Sequence, residues 1–90
     1  MEITFDPKKS ERNLCERGLS FEKAAEFDFS TALYTPATRI EYGEARTQAV
    51  GVIGDTLHSL VFTMRGTALR VISLRRASRK ERKSYANARS

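Results

Sequence analysis

Tryptophan is missing from this 90-residue chain, and cysteine and histidine each occur only once. The single cysteine, Cys15, cannot form an internal disulfide, and its context indicates a partly buried helix residue in a reducing compartment. With one histidine, the chain has too few ligands for a zinc site, which takes about four, and we expect no metal or other cofactor. No apolar run approaches the roughly 20 residues of a membrane span, and residues 1–9 lack a signal-peptide core. These absences favour one cytoplasmic domain over residues 1–90.

Positive charge is concentrated in the last third of the chain. Residues 65–90 hold nine Lys or Arg and one acidic residue, whereas residues 1–64 hold seven Lys or Arg and ten acidic residues. The net charge of +5 therefore results from a C-terminal segment of +8 on a body of −3. Such a segment favours contact with a polyanion, a phosphate-bearing substrate or an acidic partner, although a basic terminus is also an ordinary solvated surface.

The hydrophobic periodicity predicts an α+β domain with the order β-α-α-β-β-β-β-α. The predicted strands cover residues 2–5, 32–35, 46–53, 57–64 and 68–75, and the predicted helices cover residues 7–17, 20–29 and 78–88. Pro36 ends the second strand, and a polar loop follows through Arg39, Glu41, Tyr42 and Gly43. Short turns between the last strands imply an antiparallel sheet of four to five strands, with the two N-terminal helices and the basic C-terminal helix packed on one face.

The first helix begins with Asp6 as its N-cap and ends at Gly18. It is polar almost all round, and we expect Leu14 and Cys15 to provide its narrow apolar contact with the domain. The helix–glycine–helix pattern of residues 7–29 has the spacing of a DNA-reading helix-turn-helix. However, the second helix carries three acidic residues and one lysine, and phosphate would repel it, so we reject that interpretation.

The last two strands form a hairpin around Gly66, which provides the positive φ that a tight turn needs. With a two-residue turn, even-numbered residues of the first strand share a face with odd-numbered residues of the second. The predicted core face holds Leu60, Phe62, Met64, Leu69, Val71 and Ser73, and the opposite face holds Ser59, Val61, Thr63, Arg65, Arg70, Ile72 and Leu74. Arg70 interrupts an apolar strand at its middle. It is therefore either an arginine lying along the sheet surface or an anion-binding residue.

The chain has no serine–histidine–acid set, no glycine-rich phosphate loop and no paired cysteines. Arginine with a few proton carriers suits metal-free RNA cleavage, in which the 2′-hydroxyl of the substrate is the nucleophile and the protein orients the phosphate and stabilises its charge. The candidate proton carriers are Lys8, Lys9, Glu44, His58 and Glu81. His58 lies next to a turn and is expected to be solvated, and Glu81 has capping-box spacing to Ser78.

Five short motifs in order resemble those of BrnT-type toxins of bacterial type II toxin–antitoxin systems, which are related to the RelE-like ribonuclease fold. The first two motifs are Phe5-Asp6-Pro7 with Lys9 and Asn13, and Arg17-Gly18-Leu19-Ser20-Phe21-Glu22 with Ala24, where Arg17 replaces the usual histidine. The third is Glu44-x-Arg46 followed by Gly51. The last two are Thr63-x-Arg65-Gly66 with Arg70-Val71-Ile72-Ser73, and Arg75-x-Ala77 with Glu81-Arg82. The resemblance covers most of the chain.

The resemblance implies a ribonuclease that cleaves mRNA, with or without the ribosome, and arrests growth. It also implies a ribbon-helix-helix antitoxin that neutralises the toxin and reads the DNA of their operon. The two proteins are expected to form a complex, with a heterotetramer as its expected form. The motif positions that carry over as site residues are Arg46, Arg65, Arg70, Arg75 and Glu81. We expect Arg46, Arg65, Arg70 and Glu81 to be catalytic. We expect the basic residues after the hairpin to bind RNA, namely Arg75, Arg76, Arg79, Lys80, Arg82 and Lys83.

Two other functions fit the same residues. A non-catalytic module could bind RNA through the basic last helix, and a protein-binding module could dock the same helix on an acidic chain. RNA binding would weaken steeply with salt because phosphate contacts release counterions. A protein-binding module would show no salt-dependent RNA binding at all.

Overall fold

The computed structural model describes residues 1–41 and 44–89. The elements are, in order, β1 (Glu2–Thr4), α1 (Pro7–Arg17), a 3₁₀ helix (Phe21–Glu26), β2 (Leu33–Glu41), β3 (Glu44–Ile53), β4 (Thr56–Arg65), β5 (Ala68–Arg76) and α2 (Arg79–Arg89). The predicted order of strands and helices and the α+β class are confirmed. None of the helices in this part of the chain is long and apolar enough to cross a lipid bilayer.

The five strands form one sheet in the order β1-β5-β4-β3-β2. Strands β2 to β5 are antiparallel to their neighbours, as predicted, but β1 pairs with β5 in parallel. The sheet is therefore mixed, and the prediction of a purely antiparallel sheet is wrong. A short turn predicts antiparallel pairing only for strands that are consecutive in the sequence. More than sixty residues separate β1 from β5, so turn length says nothing about how these two strands pair.

One face of the sheet, here called the core face, packs against the N-terminal half of the chain. Its buried strand residues are Ala49, Leu60, Phe62, Leu69, Val71 and Leu74, and Phe21, Ala24 and Phe27 of the 3₁₀ segment complete the core. The Phe29 ring meets the Phe62 ring edge-on at 6.2 Å between centroids. Burial of this apolar surface drives the helical segment onto the sheet.

Helix α1 has the predicted bounds and ends. Asp6 caps it through a 2.9 Å bond from the Lys8 amide, and Gly18 ends it with a φ of +72°. Its inner contact differs from the prediction, because Cys15 is exposed and Leu14 is half-exposed. Two polar residues, Ser10 and Asn13, are the buried ones. Polar side chains can be buried in this way because each finds hydrogen-bond partners there.

Asn13 connects α1 to the sheet. Its amide nitrogen donates to the backbone oxygen of Leu19 at 2.7 Å and to that of Leu74 at 2.8 Å. Ser10 accepts a 2.9 Å bond from the Phe21 amide. The contact of α1 is thus a set of directed hydrogen bonds rather than an apolar stripe.

The second helix begins after Ser20, as predicted, but it is a short 3₁₀ helix that ends at Glu26 rather than an α-helix that reaches Phe29. The chain leaves the helix early because Phe27 forms a bridge to Ile53. The Phe27 ring lies over Gly51, where an added Cβ would be 2.7 Å from the ring. Gly51 is therefore required by packing and not by backbone conformation.

Strand β2 continues past Pro36 to Glu41, where the sequence predicts a polar loop. The strand lies at the edge of the sheet, where proline removes no ladder hydrogen bond that a further strand needs, and its register shifts between Pro36 and Ile40. The predicted loop positions Tyr42 and Gly43 lie outside the described residues.

Helix α2 packs on the other face of the sheet, so the prediction that all helices share one face is wrong. We call this side, defined by Arg46, Gln48, Ser59, Arg70 and Arg75, the arginine face. The Tyr85 hydroxyl and the Arg89 guanidinium both donate to the Thr31 backbone oxygen at 3.2 Å, which fixes the end of the helix.

Candidate active site

The β4–β5 hairpin forms the predicted two-residue turn. Arg65 pairs with Ala68, and Gly66 between them has a φ of +62°. The left-handed conformation is cheap for glycine, and it matches the turn to the twist of the strands. Near the turn, the two faces of the hairpin therefore follow the predicted alternation.

Further from the turn, β5 contains a β-bulge. Phe62 pairs with Val71, and the next pair of the ladder skips Ile72 in β5. One extra residue shifts the alternation of side chains for the rest of the strand. Arg75, five residues after Arg70, consequently lies on the same face as Arg70. Without the bulge the two arginines would point to opposite sides of the sheet.

The bulge also makes two predicted positions wrong. The sequence places Leu74 away from the core, but Leu74 is opposite Leu60 and both are fully buried. Ser73, predicted on the core face, pairs with Val61 on the arginine face. Met64 is on the predicted side but lies beyond the core, and 48% of it is exposed.

Three of the predicted catalytic residues, Arg46, Arg65 and Arg70, lie near one end of the arginine face, and we call them the arginine cluster. Thr63 pairs with Arg70 across the hairpin. Thr47 pairs with Phe62, so Arg46 comes beside Thr63 from the other side. Because neighbouring strands are about 4.8 Å apart, Arg46 and Arg70 are about 10 Å apart at their Cα atoms, and long side chains can reach one anion from both.

The members of the arginine cluster differ in exposure. Arg65 is exposed at the turn, whereas Arg46 and Arg70 are half-buried. Thr63 between them is buried, with 4% exposed, and its hydroxyl donates to the Ala45 backbone oxygen at 2.9 Å. Among the side chains that the structure describes, the guanidinium of Arg70 has neither an ion pair nor a hydrogen bond. Its five donors are available to a ligand.

The other two motif residues, Arg75 and Glu81, form a second group at the α2 side of the same face. Arg75 donates from Nη1 and Nη2 to the two carboxylate oxygens of Glu81, each at 2.8 Å. Glu81 also accepts from the Ser78 amide at 2.8 Å and from Gln48 Nε2 at 2.8 Å. The Glu81 amide in turn donates to the Ser78 hydroxyl at 3.1 Å, which confirms the predicted capping box.

These bonds fix the charge of Glu81. The bidentate bonds from Arg75, with the Ser78 amide and Gln48, lower the pKa of Glu81 from 4.5 to about 2 against the opposing effect of burial. The same hydrogen bonds raise the pKa of Arg75. A carboxylate with so low a pKa is a poor proton acceptor near neutral pH. The geometry therefore favours a structural role for Glu81 and Arg75, which join α2 to the sheet.

A groove of about 320 Å³ lies between α2 and the β2–β3 side of the arginine face. Leu33 and Val50 supply apolar surface, and Gln48, Lys80 and Ser84 supply polar groups. Strands β2 and β3 position Leu33, Gln48 and Val50, and the first turns of α2 position Lys80 and Ser84. We call this space the α2 groove.

The predicted RNA-binding residues do not form one surface. Arg76 is opposite His58 at the far end of β5, in the register that points to the core face, and Arg75 is held by Glu81. Arg79, Lys80 and Lys83 are exposed on α2. Arg82 is also exposed but donates to the Ala77 backbone oxygen at 2.9 Å, where it caps β5.

The proton carriers expected from the sequence are mostly elsewhere. His58 is buried, with 5% exposed, and its Nδ1 lies 2.8 Å from the Thr56 backbone oxygen, so the expected solvated histidine is wrong. Lys8 and Lys9 are exposed on α1, which packs on the core face. Glu44 begins β3. Among the described residues, no three His, Cys, Asp or Glu side chains are grouped closely enough to hold a metal ion.

The structure adds residues to the site that the sequence alone did not indicate. Glu2 and Thr4 of β1 pair with Ala68 and Arg70, so both join the arginine face beside the cluster. Gln48 donates to Ser59 at 2.8 Å as well as to Glu81. The sequence does not point to Glu2 and Thr4 because no local signal connects residues 2–4 with residues 68–70. Only the parallel pairing of β1 with β5 brings these residues together.

Comparison with known proteins identifies the family of the chain. No curated protein matches the chain significantly. A family model described as the ribonuclease toxin BrnT of type II toxin–antitoxin systems matches residues 5–81. The matched segment contains the arginine cluster, the bulge and the Glu81 network. The chain therefore belongs to the BrnT family of ribonuclease toxins of type II toxin–antitoxin systems.

Proposed function

We propose that this protein is a metal-independent endoribonuclease whose arginine cluster binds the scissile phosphate of RNA. Membership of the family implies an RNA target and an antitoxin partner. The observation that carries the proposal is the guanidinium of Arg70, which is half-buried on the arginine face and has no ion pair or hydrogen bond among the described side chains. Arg46 and Arg65 lie on the same face around it. Cellular mRNA as the substrate would place the protein in the cytoplasm.

The chemistry uses the substrate's own nucleophile. The 2′-oxygen attacks the adjacent phosphorus, the bond from phosphorus to the 5′-oxygen breaks, and the products carry a 2′,3′-cyclic phosphate and a 5′-hydroxyl. Negative charge grows on the phosphate oxygens during this step, and the forked donors of Arg46, Arg65 and Arg70 stabilise it electrostatically. The 2′-hydroxyl loses one proton, and the departing 5′-oxygen gains one from the solvent.

Glu2 is our candidate acceptor for the 2′-hydroxyl proton. Its partner in the sheet is Ala68, which is also the partner of Arg65, and the side chains of paired residues share a face. Glu81 is less suited because Arg75 occupies both of its oxygens. His58 is less suited because it is buried on the core face.

Substitution of Arg70 tests the proposal. Arg70→Ala is expected to fold and to lower kcat by about 10²–10³, the usual effect of removing one donor that stabilises transition-state charge. Arg70→Lys keeps the charge but loses the fork, and should recover only part of the rate. Arg12→Ala, an exposed arginine on α1, is the control. Cleavage is followed on end-labelled single-stranded RNA, and mass spectrometry identifies the product ends.

Two results would contradict this function. If antitoxin-free wild-type protein binds RNA with a steep salt dependence but leaves it intact, the protein is an RNA-binding module, for which the exposed residues Arg79, Lys80 and Lys83 already provide a surface. If chelation of divalent metals abolishes cleavage by wild-type protein, metal independence is wrong.

We further propose that the antitoxin is a ribbon-helix-helix protein that neutralises this toxin and carries the DNA-binding function of their complex. Induction of the toxin gene alone should arrest growth, and co-expression of a short ribbon-helix-helix reading frame from the neighbouring position should restore it. The two proteins should co-purify, and light scattering gives the stoichiometry, for which a heterotetramer is the expectation. Growth arrest that Arg70→Ala also causes would contradict a catalytic origin of toxicity.

A further inference from the structure

The α2 groove has the size and surface of a site for one flat ring. Its volume of about 320 Å³ is at the lower end of the roughly 300–1,000 Å³ found for ligand pockets. Leu33 and Val50 provide aliphatic surface against which a ring can pack, while Thr35 and Ser84 place hydroxyl groups at the rim.

Gln48 lines this groove, and hydrogen bonds from its nitrogen fix the orientation of its side-chain amide. Its Nε2 donates to Glu81 Oε2 and to Ser59 Oγ, each at 2.8 Å. An ionised carboxylate can only accept, so Glu81 determines which end of the amide is nitrogen, and the two bonds use both amide hydrogens. The carbonyl oxygen of Gln48 takes part in no hydrogen bond within the described part of the chain, and it remains available to a ligand that donates.

The charge of the groove favours a nucleotide. Glu81 is part of the lining, but its charge is balanced by the bidentate contact with Arg75. Lys80 at the rim then provides a positive charge that no described carboxylate pairs. The aliphatic surface of Leu33 and Val50 suits a base, the half-buried amide of Gln48 suits the amino group of that base, and the exposed Lys80 suits its phosphate.

The groove is also next to the arginine cluster. Gln48 and Arg46 are two residues apart on β3 and lie on the same face, so their Cα atoms are about 7 Å apart. A phosphate held by Arg46 and a base against Gln48 can therefore belong to adjacent parts of one RNA strand.

We propose that the α2 groove binds the base next to the scissile phosphate, and that the carbonyl oxygen of Gln48 selects bases with an exocyclic amino group. This inference rests on the proposed ribonuclease function and adds its sequence preference. Adenine, cytosine and guanine carry such a donor. Uracil carries no amino group, and at the edge where adenine and cytosine present theirs it offers a carbonyl, which would face the Gln48 oxygen and leave both acceptors unpaired.

Binding of non-cleavable oligonucleotides tests the groove separately from catalysis. The probes are 2′-deoxy oligonucleotides with a single base flanked by abasic sites, in which the base is adenine, unsubstituted purine or uracil. Adenine and purine differ only in the amino group. Loss of one hydrogen bond with an unpaired acceptor is expected to weaken binding about tenfold for purine relative to adenine. Gln48→Met should reduce this ratio to about one.

A matched pair of substitutions on α2 controls for folding. Ser84→Phe fills the groove from an exposed helix position, whereas Ala86→Phe adds the same ring about 200° away around the helix. Ser84→Phe should weaken binding of the adenine probe at least tenfold and leave binding of the fully abasic probe unchanged. Ala86→Phe should change neither.

The outcomes distinguish this inference from the function on which it rests. Equal binding of adenine and purine to wild-type protein, or equal effects of Ser84→Phe and Ala86→Phe, overturns the base site even if the protein cleaves RNA. Intact RNA together with the adenine-dependent binding overturns the ribonuclease function and leaves the base site. On cleaved RNA libraries, the wild type should show uridine depleted at one position beside the cut, and Ser84→Phe should lose that depletion.

Discussion

Glu81 is the residue whose removal should affect stability most clearly, because one carboxylate connects α2, β5 and β3. Glu81→Ala removes the bidentate contact with Arg75, the bond from Gln48 and the acceptor for the Ser78 amide. It also leaves the guanidinium of Arg75, only 33% exposed, without its counter-charge. The expected consequence is a less stable domain in which α2 separates from the sheet first.

The magnitude follows from the individual contacts. Loss of a helix cap costs about 1 kcal/mol, and hydrogen bonds to a charged group contribute about 1.5–3 kcal/mol when both partners are partly buried. The pair is partly exposed, so solvent screening reduces its share. A decrease of about 2–4 kcal/mol in the free energy of unfolding is the expected sum, and with an m-value of about 1.5 kcal/mol/M the urea midpoint falls by about 1–3 M.

The same carboxylate makes the stability depend on pH. The pKa of Glu81 is lowered from 4.5 to about 2 in the folded protein, so its contribution is present above pH 4.5 and is lost as the pH falls towards 2. The difference in unfolding free energy between wild type and Glu81→Gln should be about 1–2 kcal/mol at pH 7 after allowance for screening. This difference in unfolding free energy should decrease as the pH falls below about 4.5.

Urea titrations followed by circular dichroism at pH 7 and pH 2.5 measure both effects. Glu16→Ala, an exposed carboxylate on α1, is the control and should shift the midpoint little. Equal midpoints for Glu81→Ala and Glu16→Ala would show that Glu81 does not join α2 to the sheet. The same conclusion would follow if the difference between wild type and Glu81→Gln were equal at both pH values. Folded Glu81→Gln should also retain cleavage within a few-fold, because Arg75 and not RNA occupies the carboxylate.

Three further substitutions address the scaffold and the proton acceptor. Asn13→Ala leaves two backbone oxygens without donors and should destabilise the domain by about 2–4 kcal/mol in urea titrations. Gly51→Ala places a methyl group 2.7 Å from the Phe27 ring and should cost about 1–3 kcal/mol, part of which Phe27→Leu in the same chain recovers. Glu2→Gln should lower kcat at least tenfold with little change in the thermal midpoint, whereas Glu16→Gln should leave kcat unchanged; equal rates would exclude Glu2 as the acceptor.

Local sequence signals predicted much of the fold. Asp6 and Gly18 bound α1, Gly66 forms the hairpin turn and Ser78 caps α2, all as expected. Each of these features depends on a backbone conformation or a capping bond within a few residues. The partner of β1 and the face that α2 covers depend on contacts between distant segments, and the alternation of side chains carries no information about either.

The candidate site shows the same division. Alternation from the turn outwards put Arg65, Thr63 and Arg70 on one face, and the register of the hairpin agrees with that. The alternation failed two residues beyond Arg70, at Ile72, because a bulge changes the count without changing the hydrophobic character of the strand. Val71 and Ile72 are both apolar, so hydrophobicity does not mark the shift at the residue where it occurs.

In the sequence, Arg70 and Arg75 both look like site residues, but in the structure they make different contacts. The bulge in β5 explains this difference. The bulge places Arg75 on the arginine face next to α2. There Glu81 pairs with the Arg75 guanidinium and neutralises its charge. Arg70, on the other side of Ile72, has no such partner in the described chain. Strand β5 therefore presents two arginines with different surroundings: Arg75 anchors α2, and Arg70 is the one that we propose binds phosphate. The Arg75–Glu81 pair also orients Gln48, because Gln48 donates to Glu81. The same contact therefore shapes the α2 groove beside the arginine cluster. Loss of Arg75 should disturb base preference before it disturbs phosphate binding.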